Sequence, residues 1–316
     1  MNHAARPWLI AVVVGLLTRS PAQAGMTPEE VNASEGYKSK AEKGDRIAQT
    51  SLGYCYSDGE GVAKDFAQAA SWFRKAAEQG YALAQCNLGL CYAKGEGVAK
   101  DDVQAASWYR KAAEQGYANA QSSLGLCCIK GEGLAKDDLQ AVSWFRKAAE
   151  QGLASAQTSL GYCYAKGEGV TKDDVQAVSW FRKAADQGYA NAQSNLGLCY
   201  SNGEGVTRDD VQAVSWYRKA ADQGVAAAQT SLGYCYARGE GVAKDEIEAY
   251  AYWNLAGITD EGARKNLALL EKNISPDARL LGQQRTKRLQ KEIEGKLETL
   301  DDLRKAVERE SLRKGA

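Results

Sequence analysis

Cysteines are the residues of this sequence with the most chemical potential, and six of its eight recur every 36 residues. These six are Cys55, Cys91, Cys127, Cys163, Cys199 and Cys235. Thiols at a fixed spacing could form disulfides, bind a metal ion, act as nucleophiles or fill one repeated pocket. Cysteine–histidine catalysis and histidine-ligated zinc need a histidine, and the single histidine is His3, at the extreme N-terminus. We therefore expect no catalytic residues and no cofactor.

A disulfide ladder between equivalent cysteines does not fit the geometry of a helical array. Packed helices lie roughly 8–10 Å apart, whereas the Cα atoms of a disulfide must lie within about 7 Å. The two additional cysteines, Cys86 and Cys128, form no CxxC pair of the kind that metal sites use. We expect no disulfide and no metal site, and we interpret the repeated thiol as a small buried apolar group. A bridge through Cys86 or Cys128, or redox or metal chemistry, stays an alternative.

Residues 1–24 have the pattern of a secretory signal peptide. Arg6 precedes an apolar run from Trp8 to Leu17, and Ala22-Gln23-Ala24 is a small-x-small cleavage site before Gly25. The run is too short to span a bilayer, which takes roughly 20 residues. The sequence therefore predicts an exported protein, periplasmic or secreted, without a transmembrane segment in the mature chain. The 40 basic and 40 acidic residues give no excess of positive charge, so nucleic acid is not an expected partner.

The cysteines belong to six near-identical segments, and a fixed period of this size is typical of a solenoid. We number the positions of each segment from one to thirty-six. The six segments are residues 48–83, 84–119, 120–155, 156–191, 192–227 and 228–263.

Each segment predicts two antiparallel helices. In the fourth copy, Ala156, Leu160 and Cys163 lie on one face of a first helix, which Gly167 ends as a C-cap glycine does. Asp173 and Gln176 have the spacing of a capping box at the start of a second helix. The tryptophan at position twenty-five is expected in the core by its helical phase. Its copies are Trp72, Trp108, Trp144, Trp180 and Trp216.

The two ends of the array differ from the repeats. Residues 25–47 predict an N-terminal capping helix that resembles a lone second helix. Residues 264–316 predict a degenerate repeat followed by a charged C-terminal helix that starts at Ser275-Pro276. This helix is expected to cap the array and continue into solvent. Weak self-association through residues 275–316 is the alternative.

The segments Ala-x-x-x-Leu-Gly-x-x-Tyr, Gly-x-Gly-Val-x-x-Asp, Ala-x-x-Trp and Lys-Ala-Ala-x-x-Gly resemble the Sel1-like repeat family, which is related to tetratricopeptide repeats. The resemblance implies an all-α, right-handed α/α superhelical solenoid that binds other proteins and has no fixed catalytic residues. One cysteine-rich branch of the family joins the two helices of each repeat by a disulfide. This chain has alanine at Ala184, where that branch has the second cysteine.

Positions four, seven and eleven of each first helix lie opposite the predicted core face. Position seven is apolar in every copy, where a solvent-facing residue would be polar, and repeated exposed apolar groups mark interaction surfaces. The predicted binding residues are Tyr54, Asn87, Leu90, Lys94, Leu126, Lys130, Tyr162, Lys166, Asn195, Leu198, Tyr234 and Arg238. The alternative is that these side chains pack against the neighbouring repeat.

We therefore predict an exported scaffold that is not an enzyme and that binds another protein or an extended peptide. A binder of cell-wall glycan or a structural spacer is the second hypothesis. A weak β-lactamase-like enzyme, suggested by relatives in the cysteine-rich branch, is the third, but the sequence lacks the Ser-x-x-Lys acylation motif.

Overall fold

The computed structural model describes residues 28–314, and the side chains of residues 30–299. This part of the chain forms fifteen α-helices and no strand. They are α1 Pro28–Glu42, α2 Arg46–Asp58, α3 Phe66–Glu78, α4 Ala82–Lys94, α5 Asp102–Glu114, α6 Ala118–Lys130, α7 Asp138–Glu150, α8 Ala154–Lys166, α9 Asp174–Asp186, α10 Ala190–Asn202, α11 Asp210–Ala221, α12 Ala226–Arg238, α13 Glu246–Ala256, α14 Glu261–Glu271 and α15 Pro276–Lys314. The signal peptide predicted for residues 1–24 lies outside the described residues.

The chain divides into two units, one through Asp137 with α1–α6 and one from Asp138 with α7–α15. Each unit is a solenoid of helix-turn-helix repeats, as predicted, in which consecutive helices pack against each other, except that α15 packs against α13. The third copy of the repeat contributes its first helix to the first unit and its second helix to the second unit.

First helices begin two residues earlier than the sequence indicates and end where it predicts. Helix α8 starts at Ala154 rather than Ala156. Gly167 ends it in the left-handed conformation, with φ of 72°, and donates its N–H to the Cys163 carbonyl at 2.8 Å. This is the C-cap arrangement that a glycine permits without a steric penalty.

Second helices begin at the predicted aspartate, but the capping box is only half formed. The Asp173 carboxylate accepts from the backbone N–H of Gln176 at 2.9 Å. The reciprocal bond from the Gln176 side chain is not made, because the Asp173 N–H already donates to the Tyr164 carbonyl at 3.0 Å. The cap therefore also ties the second helix to the end of the first.

The aromatic residue at position twenty-six, rather than the tryptophan before it, is the buried ring of each repeat. Phe181 lies over Gly161, where an added Cβ would come within 2.6 Å of the ring. The neighbouring Trp180 is only half-buried, and the Lys183 ammonium lies 3.9 Å from its ring centroid. The prediction of a tryptophan core is therefore wrong in part: the rings pack against the core on one side and are covered by a lysine on the other.

In each repeat, the backbone of the loop between the two helices packs directly against the backbone of the preceding second helix. At Gly169, with φ of 68°, an added Cβ would lie 2.0 Å from the Asp138 carbonyl oxygen in the preceding second helix. Only glycine fits both the dihedral angle and the space. We call this contact the loop joint; its copies are at Gly61, Gly97, Gly133, Gly205 and Gly241.

Helix α1 closes the first unit as a lone second helix. Its Tyr37 and Ala41 pack against Ala48 and Leu52 of α2. Gly61 makes the loop joint with Glu30 of α1, as later repeats do with their own predecessors. The expected N-terminal capping helix therefore takes the place of a second helix.

Helix α15 packs across the outward face of α13. Its Leu289 and Ile293 are buried, and its Arg285 pairs with Glu248 of α13 at 2.7 Å. Ala251 of α13 is fully buried under α15. Serine stands at the equivalent, exposed position of the five earlier second helices. The C-terminal helix thus covers an outward face that the other repeats leave open.

Candidate interaction surface

The repeated cysteine lies in the core of each repeat, where the packing interpretation expects it. All eight cysteines are free thiols. Cys163 is a buried residue of α8, and burial, together with the nearby charge of Glu168, raises the pKa of its thiol to about 11. Such a thiol stays protonated at neutral pH and is a poor nucleophile.

The apolar residues at position seven are exposed in both units. In the first unit Tyr54 is half-buried, whereas Leu90 and Leu126 are 42% and 44% exposed. In the second unit Tyr162, Leu198 and Tyr234 are 44%, 47% and 37% exposed. We call these six residues the first-helix stripe. They are not covered by a neighbouring repeat within either unit.

Each tyrosine of the first-helix stripe is fixed by two contacts. The Tyr162 ring packs edge-on against Phe181, with centroids 5.4 Å apart. Its hydroxyl donates to Asn195 Oδ1, at position four of the next repeat, at 2.8 Å. Asn87 makes the equivalent bond to Tyr54 at 2.7 Å. The predicted site residues Asn87 and Asn195 therefore hold the tyrosines in place.

In the second and fifth repeats leucine replaces tyrosine in the stripe, and the buried aromatic residue, Tyr109 or Tyr217, carries the hydroxyl instead. In the fifth repeat the residue of the stripe is Leu198, and the buried aromatic residue is Tyr217. Burial raises the pKa of Tyr217 to about 12, although a hydrogen bond with Ser231 lowers it. In this repeat, the hydroxyl that bonds to position four of the next repeat therefore belongs to the buried Tyr217 and not to a residue of the stripe. The exposed surface at Leu198 is therefore purely apolar.

In five repeats three positions thus change together, and we call each such set a rung; the third repeat has Leu126, Phe145 and Ser159 and belongs to neither set. A tyrosine rung has tyrosine at position seven, phenylalanine or tryptophan at twenty-six and asparagine at four of the next repeat. A leucine rung has leucine, tyrosine and serine at these positions. The first unit contains one of each, Tyr54/Phe73/Asn87 and Leu90/Tyr109/Ser123. The second contains Tyr162/Phe181/Asn195, Leu198/Tyr217/Ser231 and Tyr234/Trp253/Asn266.

Helix α14 adds a member to the surface that the sequence analysis missed. Asn266 donates to the Tyr234 hydroxyl at 2.6 Å, as position four of a seventh repeat would. Ala263 is fully buried at the place of position one, and Leu269, at the place of position seven, is 58% exposed. The spacing from Tyr234 to Asn266 is one residue shorter than in the other rungs, so the fixed 36-residue period hides it. The asparagine that follows every tyrosine was the signal that could have revealed it.

The four predicted cations flank the stripe but do not leave it strongly positive. Lys94, Lys130 and Arg238 lie 3.6–3.8 Å from the carboxylate of the glutamate two residues further on. The Arg238 guanidinium also lies 5.6 Å from the Tyr234 ring centroid. Lys166 is exposed at the same position of the fourth repeat. Most of this positive charge is therefore offset locally.

A second apolar row lies on the first turn of the second helices. Its members are between 63% and 75% exposed, and they are Val103 in the first unit and Leu139, Val175 and Val211 in the second. We call them the outer row. They have no neighbouring aromatic residues or amides arranged as rungs, which makes them a natural control for the stripe.

Within residues 28–314, no group of histidine, cysteine and acidic residues could hold a metal ion. No helix in the same range is long and apolar enough to cross a lipid bilayer.

Comparison with known proteins places the fold. The Sel1 repeat family model matches six consecutive segments, residues 46–81, 82–117, 118–153, 154–189, 190–225 and 226–257. A protective antigen of uropathogenic Escherichia coli strains with an SLR fold is 36% identical, with a TM-score of 0.80, over 87% of this chain and 59% of its own. A Sel1 repeat protein from Oxalobacter formigenes is 35% identical, with a TM-score of 0.65, over 73% of this chain and 97% of its own. No curated protein matches the sequence.

The chain therefore belongs to the Sel1 repeat family. Proteins of this family are generally scaffolds for protein interaction and are typically non-catalytic.

Proposed function

We propose that this protein is an exported scaffold that binds another protein through the first-helix stripe. The proposal of export rests on the signal-like segment of residues 1–24. The proposal of binding rests on the rungs, because a folded protein gains nothing from exposing an apolar side chain at the same place in six repeats. Repeated exposed apolar groups on one face are how solenoids present a binding surface.

The fixed orientation of the exposed tyrosines is the observation that favours the first-helix stripe over other exposed surfaces. The tyrosines of the stripe are exposed, yet their rings and hydroxyls are fixed by Phe181 and Asn195 and by the equivalent residues. A fixed side chain loses little conformational entropy when a partner binds, which favours tyrosine at interfaces. The outer row is more exposed but lacks these supporting contacts.

The cysteines do not favour an enzymatic function. Burial raises the pKa of Cys91, Cys163 and Cys235 to about 11, so these thiols are protonated at neutral pH. No described residue pairs them with a general base.

The test is capture of partners by crosslinking in cell envelopes, with tagged residues 25–316 as bait. One variant changes the six stripe residues to alanine, and a matched variant changes Val103, Leu139, Val175 and Val211 to alanine. Circular dichroism confirms that both remain helical. A partner lost only from the stripe variant supports the proposal. A partner retained by the stripe variant, or lost from both, contradicts it.

A further inference from the structure

Resting on the proposed function, we propose that the stripe of the second unit binds a neutral, proline-rich segment in the polyproline II conformation. The surface concerned consists of the three stripe residues of this unit, Tyr162, Leu198 and Tyr234, and of Leu269 on α14, which lies at the place of position seven in a seventh repeat. It alternates tyrosine and leucine along its length.

The repeat distance of the surface matches this conformation. Successive first helices are close enough for Tyr162 to reach Asn195 and for Asn266 to reach Tyr234 by direct hydrogen bonds. Packed helices are typically about 8–10 Å apart. A polyproline II helix has three residues per turn and rises ~3.1 Å per residue, so every third side chain returns to the same face after about 9 Å. One turn of ligand therefore spans one step of the stripe.

Other regular conformations fit the surface less well. In a β-strand, residues three apart point to opposite faces, and residues two apart are only about 7 Å apart. An α-helix returns to one face after seven residues, or about 10.5 Å, but its apolar face is wider than a single row. Here the stripe is flanked by polar residues at position four and by charged or polar residues at position eleven. A single row of contacts favours the narrower polyproline II helix.

The side chains also suit this ligand. Proline-rich segments dock on exposed aromatic rings, and their unpaired carbonyl groups accept hydrogen bonds from the receptor. Tyr162 and Tyr234 present exposed rings, and Leu198 and Leu269 present apolar surface between and beyond them. Because the Tyr234 hydroxyl accepts its bond from Asn266, its own hydrogen can be donated to a ligand carbonyl.

The charge of the surface points to a neutral ligand. No rung residue is charged. At position eleven, Arg238 is held by Glu240 at 3.8 Å and by the Tyr234 ring. Lys166 is the exposed cation at this position in the fourth repeat. Asn202 takes the corresponding place in the fifth repeat. The four first helices span three steps, which corresponds to about ten residues of ligand at ~3.1 Å each.

The experiment measures binding of fluorescein-labelled decaproline to residues 25–316 by fluorescence anisotropy. A ten-residue glycine–serine peptide and an uncharged amphipathic helical peptide serve as ligand controls. The key variant replaces the tyrosine and the asparagine of two tyrosine rungs with leucine and serine, by Tyr162→Leu, Asn195→Ser, Tyr234→Leu and Asn266→Ser. It reuses a leucine–serine combination that the chain already contains, so we expect it to fold. Val175→Ala with Val211→Ala is the surface control.

We expect decaproline to bind the wild type more tightly than either control peptide. The converted variant should bind it at least about tenfold more weakly, because two aromatic contacts are lost, whereas the surface control should bind normally. Equal binding by the converted variant, or tighter binding of the helical peptide, would overturn the proposal. Absence of decaproline binding while the stripe still captures a partner would overturn this ligand class and leave the proposed function intact.

Discussion

The loop joints and the rungs are both repeated contacts, but they vary in different ways. Each of the six loop joints uses the same residue, glycine, against the same backbone carbonyl of the preceding second helix. The five rungs instead use either a tyrosine set or a leucine set. A backbone contact leaves room only for hydrogen, whereas a side-chain contact can be made in two ways if its three residues change together. The loop joints therefore keep the packing of successive repeats constant, whereas the rungs allow the first-helix stripe to differ from one repeat to the next.

The buried cysteine is a second invariant position, and alkaline pH should disturb its copies together. The folded-state pKa of about 11 at Cys91, Cys163, Cys199 and Cys235 is raised above the ordinary value of 9.0. Their contribution to stability is therefore complete below pH 9 and is lost as the pH rises from 9 to 11. At pH 10 the loss is roughly 1 kcal/mol for each thiol, or about 4 kcal/mol for these four together, which makes this the largest effect expected.

Urea unfolding followed by circular dichroism at pH 8, 9 and 10 measures this effect. Labelling by Ellman's reagent, with and without urea, reports in parallel whether the thiols are buried. An unfolding midpoint that is unchanged up to pH 10, or rapid labelling of the native protein, would show that the thiols are not buried as described.

A methyl group at a loop joint should be more costly than any single change at a rung. Gly169→Ala places Cβ 2.0 Å from the Asp138 carbonyl oxygen and also strains a positive φ. We expect a loss of about 3 kcal/mol or more in the free energy of unfolding. Gly188→Ala is the matched control, since its φ is 86° and nothing lies within 4 Å, and it should cost about 1 kcal/mol. Equal losses of stability in the two variants would contradict the close backbone contact at Gly169.

The contact between α15 and α13 should resemble the loop joints, in that changing one of its buried residues should markedly lower the free energy of unfolding. Leu289 is 3% exposed and packs with Val214 and Tyr252, so Leu289→Ala should lower the free energy of unfolding by about 2–4 kcal/mol. Leu297, which is 41% exposed on the same helix, should lose less than about 0.5 kcal/mol when changed to alanine. Similar values for both variants would mean that α15 does not cap the array.

The rungs should show coupling that the joints cannot. Tyr162→Leu alone leaves Asn195 without its partner and should cost about 1 kcal/mol. The double variant Tyr162→Leu with Asn195→Ser should recover most of this loss, giving a coupling energy of about 0.5–1 kcal/mol in a double-mutant cycle. Additive losses would mean that positions seven and four of the rung are not energetically coupled.

The sequence predicted the repeats, the helix pairs, the C-terminal ends of the first helices and the starts of the second helices, because glycine and aspartate act locally. It placed the starts of the first helices two residues too late. It could not decide which of two adjacent aromatic residues is buried. Trp180 and Phe181 are one residue apart, and the choice depends on the glycine of the facing helix, Gly161. The fold-back of α15 onto α13 depends on Ala251 and Leu255 matching a helix far along the chain, which no local pattern reports. The coupling within the rungs was readable from the sequence once position seven was compared with position four of the next repeat.

The most direct test of the central claim places a photocrosslinking residue, p-benzoylphenylalanine, at Leu198 in one variant and at Val211 in another. Both positions are apolar and exposed in the second unit, one on the first-helix stripe and one in the outer row. The account predicts that a partner in the cell envelope is crosslinked from position 198 and not from position 211. Crosslinking from position 211 alone, or equally from both, would contradict it.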